Sequence, residues 1–379
     1  MPTILIDASC LMKELTGVGV YTHNLVECLF ALESDQDFIL FFNALKGKLP
    51  DLAKKHANQA KIIRRYIPGK ILLEWWERFK FPVIENLAHM QNVDIFHSPN
   101  YLYQPSKSKH IVTTVHDLSF LKKTNYGSRY SGAYHRKTLR KNLKHVSRVV
   151  VPTESVKADL IRMCELDPDL ISVIHFGIQN SFLEKFDLEK TKNRLINKGY
   201  PQKFILSVGT IEPRKNLPIL VEAFSSIENQ IKDTYLIIAG GFADGIQEVK
   251  QKILQKNLEE RVLLTNYISA ELLRDLYRCS LFAVFPSWEE GFGFPPLEAL
   301  ACGVPVIVSD ISTHREVLGD AAVYFDVNSS FELSRELLSF YFDEGRREKY
   351  VAKGEIAVQK YSWRKVAEKH LEVYNSLVR

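Results

Sequence analysis

Residues 285–310 read FPSWEEGFGFPPLEALACGVPVIVSD, and they say more about the architecture than any other part of the sequence. Apolar, β-prone runs at 281–285 and 304–308 bound this stretch, as expected for parallel strands covered on both faces. Between the runs, the pair Pro295–Pro296 predicts the start of a helix, where the missing N–H of proline costs nothing. Gly303 lies where the left-handed cap that ends this helix is expected. The pattern predicts strand, loop, helix and strand, the repeating unit of a parallel α/β sheet.

The loop that enters this helix combines acids with glycines. Glu289 and Glu290 precede Gly291 and Gly293, and Glu298 is expected in the first turn of the helix. A helix N-terminus presents free N–H groups to a phosphate, and glycines let a ligand approach the backbone. Carboxylates that accept from sugar hydroxyls beside such amides suit a nucleotide that carries a sugar. The plainer alternative is that the acids are solvated or interact with the helix dipole.

The two glutamates Glu290 and Glu298, with seven residues between them, and the following ALACGVPVI resemble the signature of the family-4 retaining glycosyltransferases. The resemblance implies an α/β chain with the GT-B fold, in which two Rossmann-like domains have parallel sheets that face a central cleft. It also implies that the nucleotide-sugar donor is bound by the C-terminal domain. The donor-binding residues that it implies in this stretch are Glu290, Gly291, Phe292, Gly293, Phe294 and Glu298.

Length and composition limit the number of domains and the class of protein. A chain of 379 residues is too long for one hydrophobic core and predicts two α/β domains. Its five cysteines lack CxxC spacing and predict reduced thiols in a cytoplasmic protein. The N-terminus leads directly into a predicted strand, so no signal peptide is expected, and no apolar run approaches the roughly 20 residues that a membrane helix needs.

Strand and helix signals alternate along the whole sequence. The first series predicts an N-terminal Rossmann-like domain at residues 1–176, which we expect to bind the acceptor. The second series predicts a nucleotide-sugar-binding domain at residues 177–362. The amphipathic segment 363–379 is predicted to be a helix, and the resemblance implies that it packs back on the N-terminal domain.

A second candidate segment, GTIEPRKN at 209–216, follows a predicted strand and opens a helix. Arg214 and Lys215 are therefore expected at the carboxyl end of a strand, where two cations can neutralise a diphosphate. Solvated loop charges are the alternative. The resemblance implies that Gly209, Arg214 and Lys215 bind the diphosphate and that the two cations stabilise it as the leaving group.

The first half carries two weaker signals. Gly17 and Gly19 follow the first strand and could bring amides to a donor phosphate, but Thr22 stands where a dinucleotide fingerprint has its third glycine. His116 ends an apolar run, next to Asp117, and is suited to proton handling or to hydrogen bonding with a sugar hydroxyl. The resemblance places His116 in the donor-sugar pocket, and Asp117 is expected to orient it.

The motif HSPN at 97–100 ends another predicted strand. His97 and its neighbours are therefore expected to line the acceptor side.

Positive charge is concentrated between residues 101 and 150, where eleven Lys or Arg stand against the single acid Asp117. A helix predicted at 128–147 would collect much of this charge on one face. Such a face suits an anionic membrane surface or the pyrophosphate of an acceptor, and a solvated helix is the plain alternative. Nucleic acid is not expected, because no nucleic-acid-binding motif accompanies the charge. The candidate acceptor- or membrane-binding residues are Arg136, Lys137, Arg140 and Lys141.

No side chain stands out as the nucleophile of a double displacement. We therefore expect internal-return chemistry, in which the leaving phosphate accepts the proton of the acceptor and Glu290 binds sugar hydroxyls. The catalytic candidates are Glu290, His116, Arg214 and Lys215. The Asp-x-Asp sequences at 35–37 and 167–169 are interpreted as turns, and neither a metal nor another cofactor is expected.

The segments TGVGVYTHNL and LLEWWERFKFP resemble bacterial enzymes that add mannose to O-antigen and other surface polysaccharides. This resemblance implies a GDP-mannose donor, a lipid-linked glycan acceptor and a location at the inner face of the cell membrane. A UDP-sugar is the alternative donor. The alternatives are a nucleotide-sugar epimerase of the same architecture, and a basic module that binds membrane or nucleic acid and has a vestigial cleft.

Overall fold

The structure is a computed structural model, and it describes residues 1–12, 17–32, 34–100, 104–122 and 139–378. The chain folds into two compact units. Unit 1 contains residues 1–121, the described residues 139–177, and the segment that begins at Tyr361. Unit 2 contains Ile178–Lys360 and, of the described residues before it, Lys122. The chain thus passes from unit 1 into unit 2 and returns to unit 1 for its last helix.

Each unit is built on one parallel sheet, as the alternating sequence pattern predicts. In the described part of unit 1, seven strands lie in the order β3-β2-β1-β4-β5-β6-β7. They are β1 Thr3–Asp7, β2 Asp37–Asn43, β3 Lys61–Arg65, β4 Ile95–Ser98, β5 His110–Thr114, β6 Arg148–Val151 and β7 Ile171–Val173. The order reverses at β1, so the carboxyl end of β1 is a switch point of the kind that binds ligands in doubly wound sheets.

The sheet of unit 2 repeats this order with six described strands, β10-β9-β8-β11-β12-β13. They are β8 Phe204–Val208, β9 Tyr235–Ala239, β10 Val262–Thr265, β11 Ala283–Phe285, β12 Val306–Ser309 and β13 Ala322–Phe325. Its switch point is the carboxyl end of β8, between β9 and β11. The predicted fold of two doubly wound α/β halves is confirmed.

Helices cover the faces of both sheets. Those of unit 1 include Gly17–Ala31, Asp51–Lys55, Gly69–Phe79, Ile84–Ala88, Ser119–Lys122, Glu154–Cys164 and Trp363–Val378. Those of unit 2 are Asn180–Leu183, Leu188–Asn197, Leu217–Ile227, Ile246–Gln255, Ala270–Cys279, Phe294–Ala301, Ser312–Leu318, Ser330–Phe342 and Glu344–Val358. None of the described helices is both long enough and apolar enough to cross a bilayer.

The C-terminal helix Trp363–Val378 is joined to the first sheet by polar side chains that are fully buried. The side chains that take part are Tyr21, His97, Thr114, His370 and Tyr374. The Tyr374 hydroxyl lies 2.6 Å from Nδ1 of His97, and Nε2 of His97 lies 3.0 Å from Oγ1 of Thr114. The expectation that His97 lines the acceptor side is therefore wrong, because its ring is enclosed in the core of unit 1.

The proton positions in this network follow from one backbone contact. Nδ1 of His370 donates to the Val366 carbonyl over 2.7 Å, so Nε2 of the neutral ring is an acceptor. The Tyr21 hydroxyl, 2.8 Å away, donates to that nitrogen and accepts from Thr114 over 2.9 Å. Every side chain in this network has its hydrogen-bond partners while both histidines are neutral. A protonated His370 or His97 would have a donor with no acceptor.

We therefore expect acid to unfold the chain partly through these histidines. Burial lowers the pKa of His370 to about 4 and holds the pKa of His97 well below its usual value, whereas an unfolded histidine has a pKa of about 6.5. The unfolded state then binds more protons, so this contribution is complete above pH 6.5 and declines as the pH falls toward 4. Urea unfolding between pH 7 and 4 should show a shallower loss of stability for His370→Gln than for the native chain. His89→Gln, at an exposed position, should leave the native slope unchanged, and equal slopes for His370→Gln and the native chain would contradict the expectation.

Candidate active site

The loop between β11 and the helix Phe294–Ala301 carries the acidic candidates. Gly293 is the N-cap of this helix with a φ of +84°, and Pro295 lies in its first turn, as predicted. Gly303 follows the helix with a φ of +73°, which confirms the predicted left-handed end. The expected place of Glu298 is wrong: the helix begins at Phe294, so Glu298 is its fifth residue and lies in the second turn.

Glu290 lies at the centre of a polar cluster at the carboxyl ends of β8 and β11. Its Oε1 accepts from Lys215 Nζ and from Ser287 Oγ, both over 2.6 Å. Its Oε2 accepts from Arg214 Nη1 over 2.9 Å. The Glu290 side chain is only 8% exposed, against 11% for Lys215 and 17% for Arg214. The fold thus brings together two segments that are 75 residues apart in sequence.

The charges in this cluster depend on one another. Burial alone would raise the pKa of the Glu290 carboxyl, but the charges of Lys215 and Arg214 hold that pKa below its usual range. Burial lowers the pKa of Lys215, although Glu290 opposes the shift. Glu212 also accepts from Arg214 Nε over 2.9 Å. Two cations therefore face two carboxylates, so the cluster offers directed N–H donors rather than a large excess of positive charge.

Backbone and hydroxyl contacts fix the loop around Glu290. Thr313 Oγ1 donates to the Glu290 carbonyl over 2.8 Å, and Ser309 Oγ donates to the Ser287 carbonyl over 2.5 Å. The Trp288 amide donates to the Arg214 carbonyl over 2.8 Å. Sequence reasoning missed Ser287, Ser309 and Thr313. A polar side chain at the end of a buried strand, such as Ser309, or two residues beyond it, such as Ser287, is the signal that could have found two of them.

Gly209 brings the Lys215 side chain close to the end of β8. A Cβ on Gly209 would lie 3.3 Å from Cε of Lys215, and the φ of Gly209 is +147°. Gly240, at the end of β9, has a φ of +150°, and a Cβ there would lie 2.1 Å from the Gly209 carbonyl oxygen. The two backbones therefore need glycine at both positions. Gly240 is a further residue that sequence reasoning missed.

Glu298 has a different environment from Glu290. Its half-buried carboxylate lies 3.3 Å from the Tyr277 hydroxyl, which also lies 3.1 Å from the Pro295 carbonyl oxygen. Burial raises the pKa of Glu298 to about 7. One carboxyl of the predicted pair is thus firmly ionised, and the other titrates near neutrality.

The candidates His116 and Asp117 of unit 1 lie just beyond the carboxyl end of β5. His116 Nε2 donates to the Pro99 carbonyl over 2.7 Å, and the Tyr21 ring meets the imidazole edge-on at 4.9 Å. Burial lowers the pKa of His116, which keeps the ring neutral. The Asp117 carboxylate accepts from the Ser119 hydroxyl over 2.8 Å. The expected orienting contact is thus wrong, because the Pro99 carbonyl holds the ring.

The remaining candidates are the two glycines of the first long helix and the basic residues at 136–141. Gly17 is the exposed first residue of its helix, and Gly19, in the same turn, is buried. Arg136 and Lys137 lie outside the described residues. The exposed Arg140 donates to the Met163 carbonyl over 2.7 Å.

Lys141 is also exposed, in a helical stretch whose described part is 139–143. Of the two Asp-x-Asp sequences, the one at 167–169 caps a 3-10 helix, which confirms its interpretation as a turn. Asp37 of the other sequence is the first residue of β2.

Comparison with known proteins matches both halves of the chain. Residues 15–182 match the family model described as Glycosyltransferase Family 4, and residues 189–356 match Glycosyl transferases group 1. The chain is 27% identical over 377 residues to O-antigen chain mannosyltransferase B of Escherichia coli, which covers 96% of this chain and 97% of that protein.

Solved structures extend the likeness in fold. Sucrose-phosphate synthase of Thermosynechococcus elongatus superposes with a TM-score of 0.78 at 20% identity, over 100% of this chain and 99% of that one. HepE of Anabaena, in complex with UDP and glucose, superposes with a TM-score of 0.77 at 16% identity, over 99% of this chain and 100% of that one. At such identities the likeness concerns the fold.

Proposed function

The chain belongs to the family-4, group 1 glycosyltransferases, and we propose that it transfers mannose from GDP-mannose to a lipid-linked glycan with retention of configuration. The buried cluster of Glu290, Arg214 and Lys215 at the switch point of the second sheet supports a site for an activated sugar. Mannose as the sugar is supported by the likeness to O-antigen chain mannosyltransferase B, which extends over nearly the whole length of both chains.

In the proposed reaction the donor pyrophosphate is bound by N–H groups of Arg214 and Lys215. These donors stabilise the charge that develops on the phosphate as the glycosidic bond breaks. Glu290 holds the two cations at the carboxyl end of β8 and presents its carboxylate to hydroxyls of the sugar. Gly291, Phe292, Gly293 and Phe294 form the loop along which the donor lies, with the N-terminal amides of the helix Phe294–Ala301 facing the phosphates.

His116 is proposed to act as a neutral ring. Because its Nε2 donates to Pro99, Nδ1 is the nitrogen left to accept a hydrogen bond from a hydroxyl of the transferred sugar. The leaving phosphate accepts the proton of the acceptor hydroxyl on the same face of the sugar. We propose that no metal takes part, so transfer should persist in EDTA. We also propose that the enzyme works at the inner face of the cell membrane.

Ligand-induced stabilisation tests the donor. The native chain should unfold at a higher temperature with GDP or GDP-mannose than with UDP or UDP-glucose. A ligand at 100 times its dissociation constant contributes about 2.7 kcal/mol. Stabilisation by UDP-sugars alone would contradict the proposed base.

Arg214→Ala should weaken GDP binding by about 10-fold to 100-fold in calorimetry, because a hydrogen bond to a charged group contributes about 1.5–3 kcal/mol. Arg335→Ala, at a side chain that is 67% exposed, is the matched control and should bind GDP as the native chain does. Unchanged affinity in Arg214→Ala would remove its proposed role. Conversion of free GDP-mannose to another sugar nucleotide without an acceptor would point instead to an epimerase.

A further inference from the structure

The helix Gly69–Phe79 in unit 1 presents an apolar stripe to solvent. Ile71, Trp75 and Phe79 follow one another at intervals of four residues and therefore lie on one side of the helix. They are 43%, 47% and 65% exposed. Phe81, just beyond the helix, is 57% exposed. Scattered exposed apolar residues are ordinary, whereas a contiguous aromatic stripe indicates an interaction surface.

The core of unit 1 does not need this stripe. The same helix buries Leu72 and Trp76, which are 2% and 3% exposed, and Leu73 packs against the same cluster. These residues anchor the helix through the neighbouring part of its circumference. The helix therefore has more apolar side chains than the core covers. Those that the core leaves exposed form the stripe.

The sequence on both sides of the stripe is rich in cations. The segment 61–81 contains six basic residues against the two acids Glu74 and Glu77. The basic residues are Lys61, Arg64, Arg65, Lys70, Arg78 and Lys80. The Arg64 guanidinium lies 4.5 Å from the ring centre of Tyr66, which is 60% exposed, and that of Arg78 lies 6.0 Å from the ring centre of Phe79.

We propose that the helix Gly69–Phe79, with Tyr66 and Phe81, docks this protein on an anionic bilayer surface. Aromatic side chains at the level of the lipid headgroups and cations around them are what an interfacial helix requires. Each cation near an anionic surface strengthens the attraction, and the apolar stripe adds the burial of three large side chains. The excess of positive charge argues against a second copy of the same surface as the partner, since two such faces repel.

The proposal deepens the proposed function and rests on it in part, because a lipid-linked acceptor is presented at a bilayer surface. It also assigns surface binding to a helix other than the predicted basic helix at 128–147. In this assignment the apolar stripe inserts among the headgroups, and the cations hold the anionic lipids around it.

Vesicle co-sedimentation tests the proposal without donor or acceptor, so its outcome is separate from that of any transfer assay. The full chain should bind vesicles of phosphatidylcholine with phosphatidylglycerol and should bind pure phosphatidylcholine at least 10-fold more weakly. The triple variant Ile71→Ser, Trp75→Ser, Phe79→Ser should bind the anionic vesicles at least 10-fold more weakly than the native chain. Its GDP-mannose affinity should be unchanged, which shows that it is folded.

The matched control replaces three apolar side chains of unit 2 that are 63%, 75% and 76% exposed, as Leu254→Ser, Phe331→Ser and Ile356→Ser, and should bind vesicles as the native chain does. Lys70→Glu, Arg78→Glu and Lys80→Glu together should weaken binding most at low salt. The proposal is overturned if the native chain does not bind anionic vesicles, or if the stripe variant binds them as tightly as the native chain does. It is also overturned if the stripe variant only converts a dimer to a monomer, with vesicle binding unchanged.

Discussion

A Glu290→Ala variant should lose transfer by at least about 100-fold and should also lose about 3–5 kcal/mol of its free energy of unfolding. The loss of transfer follows from the proposed contact of the carboxylate with the donor sugar. The loss of stability follows because Lys215 and Arg214 would be left side by side, mostly buried and without their shared carboxylate. The burial of Glu290 between the two cations is therefore what makes this substitution costly for the fold.

A double variant separates the two effects. In Glu290→Ala, Lys215→Met the unpaired buried cation is gone, so the free energy of unfolding should recover toward the native value while transfer stays low. Urea unfolding and a transfer assay with GDP-mannose measure the two quantities on the same samples. Near-native transfer in either variant would show that Glu290 is a structural residue and not part of the donor site.

Gly240→Ala should destabilise the chain by about 3 kcal/mol or more. The added Cβ would lie 2.1 Å from the Gly209 carbonyl oxygen, and the φ of +150° is unfavourable for alanine. The obstacle is backbone, so no side chain can move aside to relieve it. Since Gly209 also lies against Lys215, the strain should reach the donor site and weaken GDP binding as well.

The neighbouring glycine provides the control. A Cβ on Gly241 would meet no atom within 4 Å. Gly241→Ala should therefore unfold near the native temperature in differential scanning calorimetry. If Gly240→Ala unfolds at the same temperature as Gly241→Ala, the close approach of the two backbones at the ends of β8 and β9 is not present in the protein.

Local patterns predict much of this fold because they depend on neighbours in the sequence. The apolar run at 304–308 became β12, and the Pro295–Pro296 pair marked the start of a helix. The first turn was misjudged because Gly293 takes a left-handed N-cap, which sets the helix start at Phe294. Either proline could have been the first helical residue on sequence grounds alone.

Contacts between distant residues could not be predicted in this way. Nothing near Arg214 in the sequence shows that its partner is Glu290, so the pair of cations suggested an anion site with free charge. The hydrogen-bond partner of His370 was equally hidden, because its spacing from Val366 and Tyr374 places it on the apolar face of the helix but identifies no partner. Its partner Tyr21 lies 349 residues away.

The path of the chain through the two units has a consequence for biosynthesis. Unit 2 is inserted between Gly177 and Tyr361, so all six strands of its sheet leave the ribosome before the helix that carries His370 and Tyr374. Domains generally fold in the order of their synthesis. In this protein the sheet of unit 1 is translated before unit 2 and the helix Trp363–Val378 after it, so until that helix is made Tyr21, His97 and Thr114 lack the partners that enclose them.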